Sequence, residues 1–465
     1  MLPAVALVGR PNVGKSTLFN RLTASRDALV ADYPGLTRDR RYGIGRAADR
    51  KFIVIDTGGL VSGGSDAMTA LVAGQVEIAI EEADTIILVV DHRSGLTAED
   101  TAIAERLRRE SKPVVIAVNK AEGVPGEIAE AEFHRAGLGA PVGISATHGQ
   151  GIDELLLAAL AMFPADDEAD PTAETEHGPK VAVIGRPNVG KSTLINRLLG
   201  ENRLITSPEP GTTRDSIHVP VERDDQKFVL VDTAGIRRRA RVSETIEKYS
   251  IVQSLKAIEE AGAVIAVLDA RENVTDQDVH LVGLAAERGR ALALAVNKWD
   301  GMSGHERRFV EREVERKLDF VQYASVHYVS ALHGSGIAEL IKAALVGYKN
   351  AGVELATPRL TRVLEDAMQV NPPPLVRGRQ VRLRYAHQGG RYPPVIVVHG
   401  TQAQRLPDHY KRYLENAFRE VLKLKGTPVR VELRTTENPF AGRRNTMTPR
   451  QAKTRRRVLR FKHKK

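Results

Sequence analysis

The nine residues GRPNVGKST occur twice in the chain, at 9–17 and again, letter for letter, at 185–193. Other segments repeat in the same order: PGLTRD at 34–39 and PGTTRD at 210–215, FIVIDTGG at 52–59 and FVLVDTAG at 228–235, VNK at 118–120 and 296–298, and ISATHGQGIDEL at 144–155 and VSALHGSGIAEL at 329–340. A repeat of this length predicts a duplicated domain, so most of the chain must fold as two similar halves.

Each copy alternates short apolar, β-rich runs with helical stretches. The runs are AVALVG, FIVID, TIILVVD, PVVIAVN and PVGISA in the first copy, and VAVIG, FVLVD, VIAVLD, ALALAVN and VHYVS in the second. Continuous apolar strands separated by helices predict an α/β fold with a mostly parallel sheet and helices on both faces. Such sheets bind ligands at the carboxyl ends of their strands, and the repeated motifs all lie at such ends.

After about residue 351 the pattern changes. An apolar helical face formed by Leu360, Val363, Leu364, Ala367 and Met368 is followed by the strand VRLRYA, in which Val381, Leu383 and Tyr385 alternate with Arg382 and Arg384. A second strand, PVIVVHG, a helical stripe from Tyr410 to Leu422 and the strand VRVELR at 429–434 complete the pattern. These elements predict a small α+β domain of order αββαβ.

The charge is unevenly distributed along the chain. The net charge is +10, and the stretch from Asn438 to Lys465 carries eleven Lys and Arg residues and no acidic residue. Residues 165–177 carry six acidic residues and no Lys or Arg, which is typical of a solvated linker. The basic tail predicts a polyanionic partner, although a disordered solubilising extension is the alternative.

Composition excludes several classes of protein and site. The chain has no cysteine, so disulfides, thiolate metal sites and cysteine nucleophiles are excluded. Its histidines form no pattern of metal-ligand spacing, so we propose no zinc site. It has no run of about 18 apolar residues and its first residues read as a strand, so we expect a cytoplasmic protein without a membrane anchor.

The repeated motif matches the phosphate-binding P-loop, G-x-x-x-x-G-K-[ST], placed between a strand and a helix. Backbone N–H groups of the glycine-rich turn surround the phosphates. Lys15 and Lys191 would bridge the β- and γ-phosphates, and the hydroxyls of Ser16 and Ser192 would bind Mg²⁺. Two matches, each in context, make a chance match improbable.

The base is indicated by NKWD at 297–300. Guanine presents two adjacent donors that one carboxylate can accept together, so Asp300 is predicted to make this bidentate contact. Asn297 would order the loop, and the backbone N–H of Ala331, after Ser330, would reach the guanine oxygen. The first copy reads NKAE, with Glu122 in place of the aspartate. We expect weaker or less selective guanine binding there, unless a small loop shift restores the contact.

The segments DTGG and DTAG predict the rest of the phosphate site. Asp56 and Asp232 would hold Mg²⁺ through water, and Gly59 and Gly235 would offer N–H groups to the γ-phosphate. Thr37 and Thr213 lie in loops suited to closing on Mg²⁺ when the γ-phosphate is present; an ordinary turn threonine is the alternative. Lys15, Thr37, Gly59, Lys191, Thr213 and Gly235 are therefore the candidate catalytic residues.

The full set of predicted nucleotide contacts spans both copies. They are Gly9, Asn12, Val13, Gly14, Lys15, Ser16, Thr17, Asp56, Gly59, Asn119, Lys120, Glu122, Ser145 and Ala146 in the first, and Gly185, Asn188, Val189, Gly190, Lys191, Ser192, Thr193, Asp232, Gly235, Asn297, Lys298, Asp300, Ser330 and Ala331 in the second. The predicted parts of the chain are a first GTPase domain at 1–163, an acidic linker at 164–179, a second GTPase domain at 180–350, a small α+β domain at 351–437 and a basic tail at 438–465.

The residue after the switch glycine is Leu60 or Ile236, where Ras-type GTPases place a water-orienting glutamine. An aliphatic side chain cannot position a water molecule, so we expect slow intrinsic hydrolysis unless another group stabilises the transition state. Asn12 and Asn188 are candidate ligands for a monovalent cation in this role, and asparagine favoured by a tight turn is the alternative. The arginine cluster at 237–241 favours an RNA-facing or solvated patch over an arginine finger.

Two tandem GTPase domains with GRPNVGKST in both, followed by an αββαβ domain and a basic tail, resemble the bacterial Der (EngA) family over nearly the whole chain. The resemblance implies a monomeric GTPase that acts in assembly of the large ribosomal subunit, binds rRNA and has a KH-like C-terminal domain. It also implies Mg²⁺, bound GTP or GDP, and potassium at Asn12 and Asn188. The KH-like region lacks the G-x-x-G clamp of RNA-binding KH modules, so we do not expect sequence-specific recognition through that clamp.

Two other functional classes are weighed against this one. A membrane-associated GTPase switch could place its polybasic tail on anionic lipid, but the chain has no lipidation cysteine or amphipathic helix there. A P-loop ATPase that remodels nucleic acid is opposed by NKWD and by the switch motifs.

Overall fold

The computed structural model describes residues 2–23, 41–47, 50–57, 76–163, 177–201, 218–223, 226–231, 251–376 and 379–435. They form two compact units. The first spans Met1–Glu354 together with two later segments, Gly390–Pro394 and Leu422–Val429, and the second contains the remainder of the chain after Glu354.

The first half of the larger unit is a six-stranded sheet with strands in the order β2-β3-β1-β4-β5-β6. Its strands are β1 (Ala4–Val8), β2 (Arg41–Ala47), β3 (Arg50–Asp56), β4 (Thr85–Asp91), β5 (Val114–Asn119) and β6 (Val142–Gly143), and its helices are α1 (Lys15–Thr23), α2 (Ala98–Leu107), α3 (Gly126–Glu130) and α4 (Ile152–Leu160), with a further helical stretch at 76–82. Only the edge strand β2 is antiparallel to its neighbour; the other pairings are parallel.

The second half repeats this topology, with strands in the order β8-β9-β7-β10-β11-β12. Its strands are β7 (Lys180–Ile184), β8 (Val219–Arg223), β9 (Gln226–Val231), β10 (Ala263–Asp269), β11 (Ala291–Asn297) and β12 (Ser325–Tyr328), and its helices are α5 (Lys191–Glu201), α6 (Ile251–Glu260), α7 (Asp276–Glu287), α8 (Gly304–Lys317) and α9 (Ile337–Ala351). The duplicated, mostly parallel α/β fold is therefore confirmed.

The apolar strands are buried on both faces of each sheet. In β4, Ile86 and Leu88 belong to the core on one face, while Ile87 and Val89 belong to the core on the other. Every residue of β10 and β11 is buried. This two-sided burial explains why these strands appear in the sequence as continuous apolar runs without alternation.

The second unit has the predicted order αββαβ with one addition. Its elements are α10 (Thr357–Val370), β13 (Leu375–Val376), β14 (Arg379–Gln380), β15 (Arg382–Gly390), β16 (Val395–Thr401), α11 (Asp408–Leu422) and β17 (Arg430–Thr435). The strands β15, β16 and β17 form a three-stranded sheet in that order, and β16 and β17 are parallel. The short hairpin β13–β14 is the addition that the sequence pattern did not predict.

The alternation predicted for β15 is wrong at one residue. Val381 and Leu383 are buried, but Tyr385 is 42% exposed and Ala386 is fully buried. The inward side of the strand therefore shifts by one residue between Leu383 and Ala386. The small alanine takes the core position, and the tyrosine ring is left on the outer face.

Two segments that follow α9 in sequence pack within the first unit. The backbone N–H of Tyr392 donates to the carbonyl of Ala351 at 3.0 Å. Gly426 accepts from the N–H of Leu292 at 2.8 Å and donates to the carbonyl of Tyr323 at 2.8 Å. Among the described residues, no helix is both long and apolar enough to cross a bilayer.

Candidate nucleotide-binding sites

Each P-loop lies between the first strand and the first helix of its sheet, as predicted. Gly14 and Gly190 have φ angles of +98° and +97°. A Cβ atom at Gly14 would lie 2.3 Å from Nδ2 of Asn119, and one at Gly190 would lie 2.2 Å from Nδ2 of Asn297. Both the backbone conformation and the close amide therefore require glycine. The last glycine of the motif is therefore a geometric requirement in both copies.

The P-loop lysines are folded onto their own loops. The ammonium of Lys15 donates to the carbonyls of Gly9 at 2.7 Å and Arg10 at 2.8 Å, and that of Lys191 donates to Arg186 at 2.5 Å. Burial lowers the pKa of Lys15, although the charge of Asp56 partly opposes this shift. A partly desolvated ammonium held over the turn is suited to binding phosphate oxygens.

Asn119 and Asn297 connect the base-recognition motif to the P-loop. The Nδ2 group of Asn119 donates to the carbonyl of Val13 at 2.8 Å, and its Oδ1 accepts from the N–H of Ala146 at 3.0 Å. Asn297 makes the same two contacts, with Val189 at 2.7 Å and Ala331 at 2.9 Å. We predicted that Asn297 orders the base-recognition loop. In both copies the asparagine side-chain amide connects the P-loop to the loop that follows the last strand of the sheet.

The lysine of each NK pair adds a second connection. Lys120 donates to the carboxylate of Asp91 at 2.6 Å and to the carbonyl of Asn12 at 2.9 Å, and Lys298 donates to Asp269 at 2.5 Å. Each aspartate ends the fourth strand of its domain, so the lysine joins the ends of the fourth and fifth strands in both copies, and in the first copy it also joins them to the P-loop.

The base-recognition carboxylates differ between the two copies. In the first, the guanidinium of Arg93 lies 2.5 Å from Glu122. In the second, the corresponding Arg271 stays 3.9 Å from Asp300. A guanine that binds Glu122 must compete with this arginine, which adds to the longer side chain as a reason to expect weaker binding at the first site.

Both candidate base-recognition carboxylates have a lowered pKa, which favours their ionised form. The pKa of Asp300 is lowered, first by a hydrogen bond from Ser330, and also by the charges of His333 and Arg271. The pKa of Glu122 is lowered by its own backbone N–H, and then by Ser145 and Arg93. Ser145 and Ser330 therefore act on the base-recognition carboxylates from the adjacent loop.

The residues of the first site fit Mg²⁺. Asp56 ends β3, which pairs with β1 in register with Leu7, and its side chain is buried at the strand edge that carries the P-loop. Ser16 lies in the first turn of α1. A carboxylate and a hydroxyl are oxygen ligands of the kind that Mg²⁺ prefers. In the second site Ser192 occupies the matching position in α5.

Several predicted site residues lie outside the described residues. They are the switch threonines Thr37 and Thr213, the glycines Gly59 and Gly235, Asp232, and the arginine cluster at 237–241. The roles assigned to these residues stay predictions.

Asn12 and Asn188 have φ angles of +65° and +62°. Asparagine adopts this left-handed conformation more readily than most residues, so the turn alone explains its presence. A role in binding a cation is an addition to this structural role and needs a separate test.

The structure reveals a P-loop anchor that the sequence analysis missed. Arg10 donates to the buried carboxylate of Asp100 at 3.1 Å, and Arg186 donates to Asp278 at 2.9 Å and to Glu272 at 3.0 Å. Both buried aspartates also close capping boxes with Thr97 and Thr275 at the starts of α2 and α7. The repeated T-x-x-D at 97–100 and 275–278 was the signal that could have revealed this pair.

Two family models match the chain. The model described as a 50S ribosome-binding GTPase matches residues 4–120 and again 180–298. The model described as the KH-domain-like C-terminal domain of EngA bacterial GTPase enzymes matches residues 355–434.

Full-length relatives are similar over the whole sequence. The GTPase Der of Thioalkalivibrio sulfidiphilus is 53% identical over 465 residues, which is 100% of both chains. The GTPase Der of Hahella chejuensis is 51% identical over 100% of this chain and 98% of its own. Among solved structures, the G domain of the T. maritima FeoB iron transporter is 29% identical, covers 35% of this chain and 98% of its own, and has a TM-score of 0.27.

Proposed function

The chain belongs to the GTPase Der family, and from this premise we propose that it acts in assembly of the large ribosomal subunit as a switch with two GTP sites. The observation that carries the proposal is that a complete frame of P-loop, asparagine connection and base-recognition carboxylate occurs twice in one chain. The family model for its GTPase domains is described as ribosome-binding, which supports the choice of partner.

Hydrolysis is assigned to the P-loop side of each site. Lys15 and Lys191 would neutralise charge on the phosphate oxygens, while Ser16, Asp56 and Ser192 would supply oxygen ligands to Mg²⁺. When bound, Mg²⁺ would neutralise charge that develops between the β- and γ-phosphates. Thr37, Thr213, Gly59 and Gly235 are proposed to sense the γ-phosphate, so that each domain has two nucleotide-dependent states.

Nucleotide-dependent binding to large ribosomal subunits tests this function. We expect co-sedimentation with isolated large subunits to differ by about 10-fold between a non-hydrolysable GTP analogue and GDP, because a ligand shifts a switch only through its different affinity for the two states. Isolated small subunits are the control. Equal binding in both nucleotides, or flotation with anionic liposomes without subunit binding, would contradict the proposal.

We further propose that potassium assists hydrolysis through Asn12 and Asn188. A cation near the transferred phosphate would supply the charge that the missing glutamine cannot. We expect GTP turnover in K⁺ to exceed that in Na⁺ by about 10-fold or more, and the doubly substituted Asn12→Gly, Asn188→Gly chain to lose this difference. Glycine keeps the left-handed turn and removes only the carboxamide. Equal turnover in both salts, or a K⁺ response that survives both substitutions, would show that the asparagines serve the turn alone.

A further inference from the structure

We propose that the outer face of the β15–β16–β17 sheet is a stacking surface for unpaired RNA bases. The proposal rests on the proposed function and adds a site to it. The surface consists of Tyr385 and His387 on β15, His399 on β16 and Arg434 on β17.

Three aromatic rings form one array on this face. The rings of Tyr385 and His399 have centroids 4.5 Å apart and planes within 5° of parallel. The centroid of His387 lies 5.1 Å from that of His399 and 6.2 Å from that of Tyr385. The three rings therefore form one stacked array, and 42% of Tyr385 remains exposed.

The opposite face of the sheet is occupied by the helices. Ala386, between Tyr385 and His387, is fully buried, and its backbone contacts the hydroxyl of Thr361 on α10 at 3.3 Å. On β17, the N–H of Val431 donates to Glu415 of α11 at 3.1 Å. Since neighbouring side chains of a strand point to opposite faces, the ring array lies on the side away from the helices.

The charge around this face favours a nucleic acid. Residues 355–434 contain fifteen Lys and Arg and six Asp and Glu, a net charge of +9. Arg384 precedes Tyr385 and is exposed, and Arg434 is paired with His399 across the strands. The guanidinium of Arg434 also contacts Glu432 at 2.9 Å, so it is held near the array.

The form of the ligand follows from the geometry of the rings. Burial, together with the charges of His387 and Arg434, lowers the pKa of His399, so its ring is neutral at pH 7 and contributes as a flat surface. Aromatic rings on an open sheet stack on bases that are free to leave their neighbours, which in RNA means single strands, loops and bulges. Duplex RNA offers no free base face and is not the expected ligand.

Binding of a ten-nucleotide single-stranded RNA to the full chain tests the proposal. Loss of one base stack costs about 1–3 kcal/mol, so we expect Tyr385→Ala to weaken binding by about 10-fold and Tyr385→Phe to bind within about 2-fold of wild type. His409→Ala removes an exposed ring from the helix side of the same domain and is the matched control. An unchanged urea-unfolding transition of the C-terminal domain in each variant shows that this domain is folded, since a chain of several domains need not unfold in one step.

The salt dependence separates stacking from charge. Arg434→Ala is expected to lower the slope of log affinity against log salt concentration by about 1, whereas Tyr385→Ala leaves the slope unchanged and lowers affinity at every salt concentration. RNA affinity that Tyr385→Ala leaves unchanged, or a loss equal to that of His409→Ala, would overturn the proposal. If RNA affinity is unchanged but subunit binding falls, the face contacts a ribosomal protein instead.

The outcomes also distinguish this proposal from the proposed function. Nucleotide-dependent subunit binding that persists in Tyr385→Ala with unaltered RNA affinity would reject the stacking surface and keep the ribosomal role. If subunit binding by the wild-type chain does not depend on the nucleotide, the ribosomal role is rejected, whatever the RNA affinity of the array.

Discussion

A chain with both Lys15→Ala and Lys191→Ala is expected to hydrolyse GTP at least about 100-fold more slowly than the wild type. Removal of one donor that stabilises transition-state charge costs roughly 10²–10³-fold in rate. Each of these lysines lies over its P-loop, bonded to the carbonyls that frame the phosphate position. The substitutions remove the ammonium groups that we propose to contact the phosphates.

The single substitutions divide the activity between the two sites. We expect Lys191→Ala to remove the larger share of turnover, because Arg93 lies 2.5 Å from Glu122 in the first site, whereas Arg271 lies 3.9 Å from Asp300 in the second. Steady-state phosphate release measures the rates, and Lys342→Ala, at an exposed position on α9, is the surface control. Wild-type turnover in the double variant would exclude both lysines from catalysis.

Arg186→Ala is expected to cause the largest loss of stability in the second GTPase domain, about 3–5 kcal/mol. Its partner Asp278 has a side chain with no exposed surface, so the substitution leaves a buried carboxylate without its counter-ion. Burial lowers the pKa of Arg186, but hydrogen bonds and charges from Asp278 and Glu272 more than offset this and raise it. The same contact fixes the P-loop, so affinity for GTP at the second site falls as well.

Glu272→Ala is the matched control for this prediction. It removes the other ion pair of Arg186, but the Glu272 side chain is 56% exposed, so we expect a loss of at most about 1 kcal/mol. Unfolding in urea gives the free energy of unfolding of each variant. The transition of the second GTPase domain is the one compared, because a chain of several domains need not unfold in one step. If both substitutions lower the free energy of unfolding equally, the buried carboxylate of Asp278 does not need Arg186 as its counter-ion.

The sequence was sufficient to predict the sheets and the P-loops because their signals are local or repeated. The four inner strands of each sheet are largely buried and require apolar runs, whereas the edge strands β2 and β8 were not among the predicted runs. The turn of the P-loop requires Gly14 and Gly190 at positions fixed by the motif. The position of Asn119 and Asn297 at the strand ends also followed from the pattern.

The parts that were missed depend on contacts between distant segments. Arg10 contacts Asp100 across ninety residues, and Arg93 contacts Glu122 across two loops, so neither arginine is identified by its spacing from its partner; the repeated T-x-x-D marks only the aspartate of the first pair. The exposed ring of Tyr385 was missed for another reason. The inward face of β15 shifts by one residue because Ala386 packs in the core in place of Tyr385. The apolar pattern of the sequence does not reveal this shift.

The backbone contacts of Gly426 bear on how this protein can be dissected. A chain truncated after Glu354 would end where the sequence changes character, yet it would lack the residue that pairs with Leu292 and Tyr323 in the second GTPase domain. It would also lack Tyr392, whose ring lies 5.1 Å from that of Tyr348. The second GTPase domain is therefore packed against residues that follow it in the sequence. GTP hydrolysis measured on the shortened chain would describe a domain that lacks these packing contacts.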